Sequence, residues 1–231
     1  MSASPGPSAP PEAIKALTPL VVQSTYSFLR GVVPPGELVQ AAAKAGLSRL
    51  ALTDRNGMRG LPAFVEACRK AGISPITGVE FADSSGRLIL IARTIEGYAF
   101  LTRTLTLMAD PGPNVDVSGA LARRREGKEI GKRLSTEALR EYRPEYARDL
   151  FVLADDPAVL RRLKESSPQG GAEGWLFCLV TPCNKARWAG LAATGLPAAA
   201  SPELRFLEAR QREVQRLLLA IGRKAGYGDV G

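Results

Sequence analysis

Apolar residues fall along the chain in short unbroken runs, separated by longer stretches in which they recur every three or four positions. The runs are Pro19–Ser24, Arg49–Thr53, Ser74–Gly78, Arg87–Arg93, Leu150–Ala154, Trp175–Val180 and Leu196–Ala200. Each is mostly apolar without alternation, the pattern of a strand buried on both faces. The periodic stretches predict helices over Pro35–Ala45, Leu61–Ala71, Ile95–Met108, Thr136–Tyr142, Pro157–Ser166, Asn184–Thr194 and Glu208–Arg223. In the first two, a proline lies near the start and Gly46 or Gly72 follows the end, which is helix punctuation. Strand and helix alternate about seven times, which predicts an α/β fold with a parallel sheet under helices, doubly wound or closed as a barrel. Seven similar units without a central reversal favour the barrel. In both cases the chemistry belongs at the C-terminal ends of the strands.

The Ser/Pro/Ala-rich start, Met1 to Pro11, has no basic opening and no apolar core, so it reads as a disordered tail rather than a signal peptide. That tail is expected through residue 17, with one domain over 18–231 and an exposed loop over 109–132 that holds Pro111, Pro113 and the run Arg123-Arg124-Arg125. No stretch reaches the roughly 18 uninterrupted apolar residues of a membrane span. Hydrophobic residues at 45% and charged ones at 23% fit an ordinary folded chain.

The decisive number in the composition is zero histidines. It removes the usual general base at neutral pH, the commonest zinc ligand and any Ser-His or Cys-His nucleophile pair. The three cysteines, Cys68, Cys178 and Cys183, form no C-x-x-C pair, so a thiolate zinc site is nearly excluded. Their sparse, odd count fits a reducing compartment, and the expected location is cytoplasmic. Cys68, beside Ala67 and Ala71 on a predicted helix, reads as a small buried hydrophobe. Trp175 and Trp188 read as core or interface residues.

The predicted strand ends carry Gln23-Ser24-Thr25-Tyr26-Ser27-Phe28-Leu29-Arg30-Gly31, then Thr53-Asp54-Arg55-Asn56-Gly57, then Gly78-Val79-Glu80, and finally Ser201-Pro202-Glu203-Leu204-Arg205. Three carboxylates (Asp54, Glu80, Glu203) and three arginines (Arg30, Arg55, Arg205) therefore map to one end of the sheet. Glu203 and Arg205, two apart in extended chain, point to one side.

The stretches VVQSTYSFLRG, GELVQAAAKAGLSRLALTDRNGMRG, AGISPITGVEF, LILIARTIEGYAFL and GLPAAASPELRFLEARQREVQRLLLAIG, in that order, resemble the PHP (polymerase and histidinol phosphatase) domain found at the N-terminus of bacterial C-family DNA polymerases. Those are the replicative polymerase III alpha subunit and its error-prone relative, and TYSFLRG leans towards the latter. The resemblance runs from about Thr18 to Gly226 and implies a distorted (β/α)7 barrel. It also implies a site of two or three metals held by an H-x-H pair, an Asp-His pair, a Glu, further His or Cys, and a closing Asp-x-His. At those positions this chain has Val21 and Gln23, Asp54-Arg55, Glu80, and Glu203-Leu204-Arg205. Arg30 stands where the family has an Asp. Only Asp54 and Glu80 keep their ligand chemistry, and neither Cys178 nor Cys183 falls on a ligand position.

An arginine cannot coordinate a metal, and its fixed positive charge repels one. The expectation is therefore a vestigial pocket, with no metal or other cofactor and no catalytic residue. In it Arg55 and Arg205 lie where the metals once lay and pair with Asp54, Glu80 and Glu203. Mg²⁺ or Mn²⁺ bound through carboxylate oxygens stays open as an alternative. Ser24, Ser27 and Thr53 read as loop and cap residues, since no base is at hand to activate them.

The net charge of +8 raises the question of nucleic acid. Candidate phosphate or DNA contacts are Arg30, Arg55, Arg59 and Arg205, with Arg123, Arg124 and Arg125. Between Arg123 and Arg148 nine Lys/Arg are interleaved with five Glu and lack a stacking array of aromatics, which reads as a solvated surface more than a groove. Three functions follow. The first is a catalytically silent PHP module of, or partner to, a C-family polymerase, packed on a polymerase body or another replication or repair protein. The second is a metal-dependent phosphoesterase or 3′–5′ exonuclease. The third is a free-standing DNA-binding protein. The chain is too short for the palm, fingers and thumb of a polymerase.

Overall fold

The computed structural model describes residues 17–83, 86–109, 148–165, 172 and 174–224. The expected tail before Leu17, the loop beyond Ala109, the Arg123-Arg124-Arg125 run and the Thr136–Tyr142 helix lie outside the described residues.

The elements run β1 (Val21–Val22), α1 (Pro35–Lys44), β2 (Arg49–Leu52), α2 (Leu61–Ala71), β3 (Ser74–Asp83), β4 (Gly86–Ala92), α3 (Ile95–Ala109), β5 (Leu150–Ala154), α4 (Pro157–Glu165), β6 (Leu176–Val180), a 3₁₀ turn (Pro182–Arg187), α5 (Trp188–Ala192), β7 (Ala198–Ala200), β8 (Glu203–Leu204) and α6 (Ala209–Arg223). The helices form for the reasons their sequence gives. In α1 the proline at its start is compatible with unpaired N–H groups, and Leu38, Val39 and Ala42 make one buried stripe. In α2 the stripe is Phe64 and Cys68, and Gly72 ends the helix at φ 67°, a left-handed backbone that suits glycine. The single helix expected over Asn184–Thr194 is instead a 3₁₀ turn followed by α5. Thr181 and Asn184 cap each other there, and Asn184 itself is non-helical at φ −114°, which restarts the helix at Trp188.

Six strands make one curled sheet in the order β2-β3-β4-β5-β6-β7, and β1 pairs with β8 in parallel. The first strand also bridges the two edges of the large sheet. Thr53 N–H donates to the Val22 carbonyl at 2.9 Å on the β2 side. On the β7 side the Ser201 hydroxyl accepts from Leu20 and Val21 N–H at 2.9 and 3.2 Å. The result is the expected distorted β/α barrel, with one correction: the sheet is not all parallel. Strand β4 runs antiparallel to both β3 and β5. The cause is local. Strand β3 continues past Gly78 to Asp83, and two residues, Ser84 and Ser85, separate it from β4 in sequence. A connection that short can only form a hairpin, because a parallel return needs a crossover of a dozen residues or more.

Alternation along the strands divides the core. One set, including Phe81, Leu88, Leu90 and Leu150, packs in the largest core cluster with Leu101 of α3 and Leu160 of α4. The other, Val21, Ile89, Ile91, Leu153 and Leu179, forms a separate buried cluster inside the curl. Arg87, Ile89, Ile91 and Arg93 share one parity on β4, as do Phe151, Leu153 and Asp155 along β5, and Ile76, Gly78 and Glu80 on β3. Charge thus collects at one mouth of the barrel and aromatic surface at the other.

Candidate functional site

The reversal of β4 decides what occupies the charged mouth. Its first residues meet the C-terminal ends of β3 and β5, so Arg87, at the start of a strand, joins Glu80 and Asp155. Its side chain is only 13% exposed and has three carboxylates around it. Nε donates to Asp155 Oδ2 at 2.9 Å, Nη2 to Glu203 Oε1 at 2.5 Å, and Nη1 lies 3.8 Å from Glu80 Oε2. Arg205 Nη2 donates to the other oxygen of Glu203 at 2.7 Å. Arg187, half exposed, sits 3.7 Å from Asp155 Oδ1.

The charges hold one another in place. Burial pushes the Glu203 carboxyl up, but the Arg87 hydrogen bond, the Arg87 and Arg205 charges and a hydrogen bond with Thr181 outweigh it and leave Glu203 below its ordinary pKa. Burial likewise opposes the charged form of Arg87. Its hydrogen bond to Glu203 and the charges of Glu203, Asp155 and Glu80 more than offset that and raise its pKa.

Asp54 is satisfied differently. Its Oδ1 accepts from Ser24 N–H at 2.7 Å and from the Ser27 hydroxyl at 2.6 Å, while Oδ2 accepts from the Ser24 hydroxyl at 2.8 Å. All three residues are buried. Ser27 Oγ also accepts from Arg55 N–H at 3.0 Å, which ties the two loops together. Glycines make room. A Cβ on Gly60 would come within 2.9 Å of Asp54 Oδ2, and one on Gly31 within 1.9 Å of the Ser24 carbonyl. The Ser24–Gly31 loop includes Leu29 in the left-handed region at φ 56°, a local strain on a residue with a branched side chain.

The other sequence-selected residues fall around these two groups. Val21 and Gln23 are fully buried, and neither polar atom of the Gln23 amide has a hydrogen-bond partner among the described residues. Arg55 forms a backbone bridge with Glu80. Arg30, half-buried, has its pKa lowered to about 10, first by burial and then by Arg55, with Arg205 and Arg223 adding to the effect and Glu80 opposing it. Three other arginines therefore lie within electrostatic reach of Arg30. Arg59 is exposed, and Arg123, Arg124 and Arg125 lie outside the described residues.

Two corrections to the expected pocket follow. The guanidinium held between Glu80, Asp155 and Glu203 is that of Arg87, with Arg205 on Glu203 as expected, and Asp54 is held by serine hydroxyls and an amide. Arg87 is not a strand-end residue by sequence order, because only the antiparallel direction of β4 brings its start to the C-terminal ends of β3 and β5. The signal was present in a charged residue opening an apolar strand just after a two-residue turn. Asp155, directly after β5, is a further site residue outside the sequence-selected set. Cys178 points away from the site: its Sγ lies 3.2 Å from Thr194 Oγ1, under α5. Cys183 is exposed and Cys68 fully buried, with burial pushing its thiol up to about 11. Trp175 is buried, while Trp188 is 42% exposed and donates its ring N–H to Asn184 Oδ1.

The PHP domain family matches residues 19–175 of the 231. The chain belongs to the PHP family. Among curated proteins it is 41% identical over 83 residues to an error-prone DNA polymerase of Corynebacterium efficiens, a stretch covering 36% of this chain and 8% of that protein. It is 39% identical over 101 residues to the error-prone DNA polymerase of Mycobacterium tuberculosis strain H37Rv, covering 39% of this chain and 9% of the other. The matched part is thus less than a tenth of those relatives' length. Among solved structures, an amidohydrolase from Chromobacterium violaceum with bound sulfate and no metal aligns at a TM-score of 0.47 and 17% identity, covering 82% of this chain and 88% of that one.

The metal cluster that the PHP family implies does not fit this donor set. Asp54 already accepts three hydrogen bonds, and a fixed cation sits among Glu80, Asp155 and Glu203. The histidines that would complete a coordination sphere are not in the sequence. Among the described residues no group of three His, Cys, Asp or Glu side chains is arranged to hold a metal ion. Among the described residues no helix is long and apolar enough to cross a membrane.

Proposed function

We propose that this PHP domain is a catalytically silent module that serves a C-family DNA polymerase of the error-prone type as a structural or interaction element, in the cytoplasm. The carrying observation is Arg87 among three carboxylates. Permanent guanidinium groups, Arg87 at the centre with Arg205 and Arg187 beside it, supply positive charge to those carboxylates without coordination chemistry. With no histidine in the chain and Asp54 tied down by serines, no group among the described residues is poised as a general base for attack on a phosphoester. The likeness to the N-terminal part of error-prone polymerases supports the polymerase as the setting.

The test is metal titration of untagged protein, followed by phosphoester assays. Incubation with excess Mn²⁺ or Zn²⁺ is expected to leave no stoichiometric metal after desalting, no shift in melting temperature, and no release from p-nitrophenyl phosphate esters or from the 3′ ends of DNA. Stoichiometric metal, with turnover that chelator and Asp54→Asn both abolish, would restore the phosphoesterase reading.

A second reading, contact with phosphate or DNA at the same mouth, is favoured by the positive charges of Arg55, Arg205 and Arg223, which add to burial in lowering the Arg30 pKa. Binding of a short DNA that weakens steeply with salt, and that Arg30→Ala and Arg59→Ala reduce, would support it. Salt-insensitive or undetectable binding would remove it.

A further inference from the structure

The opposite mouth of the barrel is built differently, and nothing in the polymerase reading uses it. A cavity of about 820 Å³ opens there, lined by Leu20, Ile76, Ile91, Phe151, Phe177 and Ala199, with Arg49 and Arg93 also in its wall. Phe151 and Phe177 meet edge to face at 5.7 Å between ring centres. The Arg93 guanidinium lies 4.5 Å above the Phe151 ring. Neither Arg49 nor Arg93 forms a salt bridge with a carboxylate among the described residues.

The interior of a β/α barrel is ordinarily filled by layers of side chains. Here the fill is thin at β7, whose inward residue is Ala199, so a small side chain stands beside Leu179 where a branched one would take up space. Unfilled apolar volume destabilises a protein, and apolar walls hold water poorly. The size is that of a small-molecule pocket, for which about 300–1,000 Å³ is usual. An apolar wall bearing two cations that lack ion pairs among the described residues selects by charge as well as by surface.

We infer that this mouth binds a small anionic amphiphile: a body of aliphatic or aromatic carbon against Phe151 and Phe177, with one carboxylate or sulfonate facing Arg49 and Arg93. A neutral or cationic apolar molecule would bury the same surface without the charge pairing. A bare phosphate would gain the charge and leave the apolar wall wet.

The probe is 8-anilinonaphthalene-1-sulfonate, titrated onto the whole chain and followed by fluorescence, then displaced with dodecanoate below its micelle-forming concentration. One saturable site is expected, displaced by dodecanoate but not by dodecyltrimethylammonium at equal concentration. Arg93→Gln should weaken dodecanoate about tenfold, the scale of one charge-assisted hydrogen bond. Ala199→Phe, which fills the cavity, should abolish both signals while circular dichroism stays unchanged. Should Ala199→Phe fail to fold, the double variant Arg49→Gln/Arg93→Gln decides, because it alters the rim and leaves the apolar lining. Equal displacement by the ammonium amphiphile, or probe binding unchanged in these variants, overturns the proposal.

Discussion

Arg87 near the start of β4 and Arg93 just past its end stand six positions apart with the same parity, and they live in opposite conditions. Arg87 opens β4 at the mouth where β3 and β5 end, and Asp155, Glu203 and Glu80 surround it. Arg93 follows β4 at the other mouth, above an aromatic ring, with no carboxylate ion pair among the described residues. The residue type is the same, and the difference comes from what the neighbouring strands bring to each end. At the charged mouth the arginine is needed by the carboxylates. At the apolar mouth it is available to a ligand.

The comparison can be broken most forcefully at Arg87. Arg87→Met keeps the bulk and removes the charge, leaving three nearly buried carboxylates with Arg205 on Glu203 and the half-exposed Arg187 beside Asp155. A loss of about 3–5 kcal/mol is expected in urea unfolding, as for other broken buried pairs. A loss below about 1 kcal/mol would mean that the carboxylates are neutral or solvated and that Arg87 does not balance them.

The serine cage of Asp54 should rank next. Ser27→Ala removes a donor to Asp54 Oδ1 and an acceptor for Arg55 N–H, so about 1–3 kcal/mol should be lost. Adding Ser24→Ala should cost less than the sum of the singles if the cage acts as a unit, because each single variant already loses the coupling, which a double-mutant cycle would read directly.

Acid gives a third, graded test. The folded-state pKa of Glu203 lies below its ordinary value of 4.5, so the unfolded chain binds this proton more readily. The stability contributed by Glu203 is therefore fully present above about pH 4.5 and is lost as pH falls through the folded pKa. Urea midpoints measured from pH 6 down to pH 3 should fall, and the part of the slope due to Glu203 should shrink in Arg87→Met. An unchanged slope in that variant would disconnect the two residues.

The smallest effect belongs to the other mouth. Arg93→Met should cost no more than about 0.5–1 kcal/mol, the scale of an exposed cation–π contact. A loss comparable to that of Arg87→Met would erase the distinction between the two mouths.

The placement of Arg87 marks the boundary of what residue order could predict. The apolar runs predicted seven of the eight described strands and missed the two-residue β8, and the absence of histidine, with arginine at family ligand positions, is legible in residue order alone. Asp54, Glu80 and Glu203 were placed at one mouth because a strand's C-terminal end is a local property of the chain. Pairing is not local. That Asp54 would meet two serines about thirty positions earlier, or Arg87 a glutamate 116 positions later, depends on how the sheet curls.

One short connection carried the rest. The two residues between Asp83 and Gly86 reversed β4, and that reversal exchanged its ends between the two mouths of the barrel. Composition and periodicity thus determined which segments are strands, which faces are apolar and which metal chemistry lacks its ligands, because burial and coordination depend on residue type. The tertiary structure alone decided which arginine neutralises the carboxylates and which faces an apolar cavity. Strand direction and register set the neighbours of a side chain, and a charge acts through its neighbours.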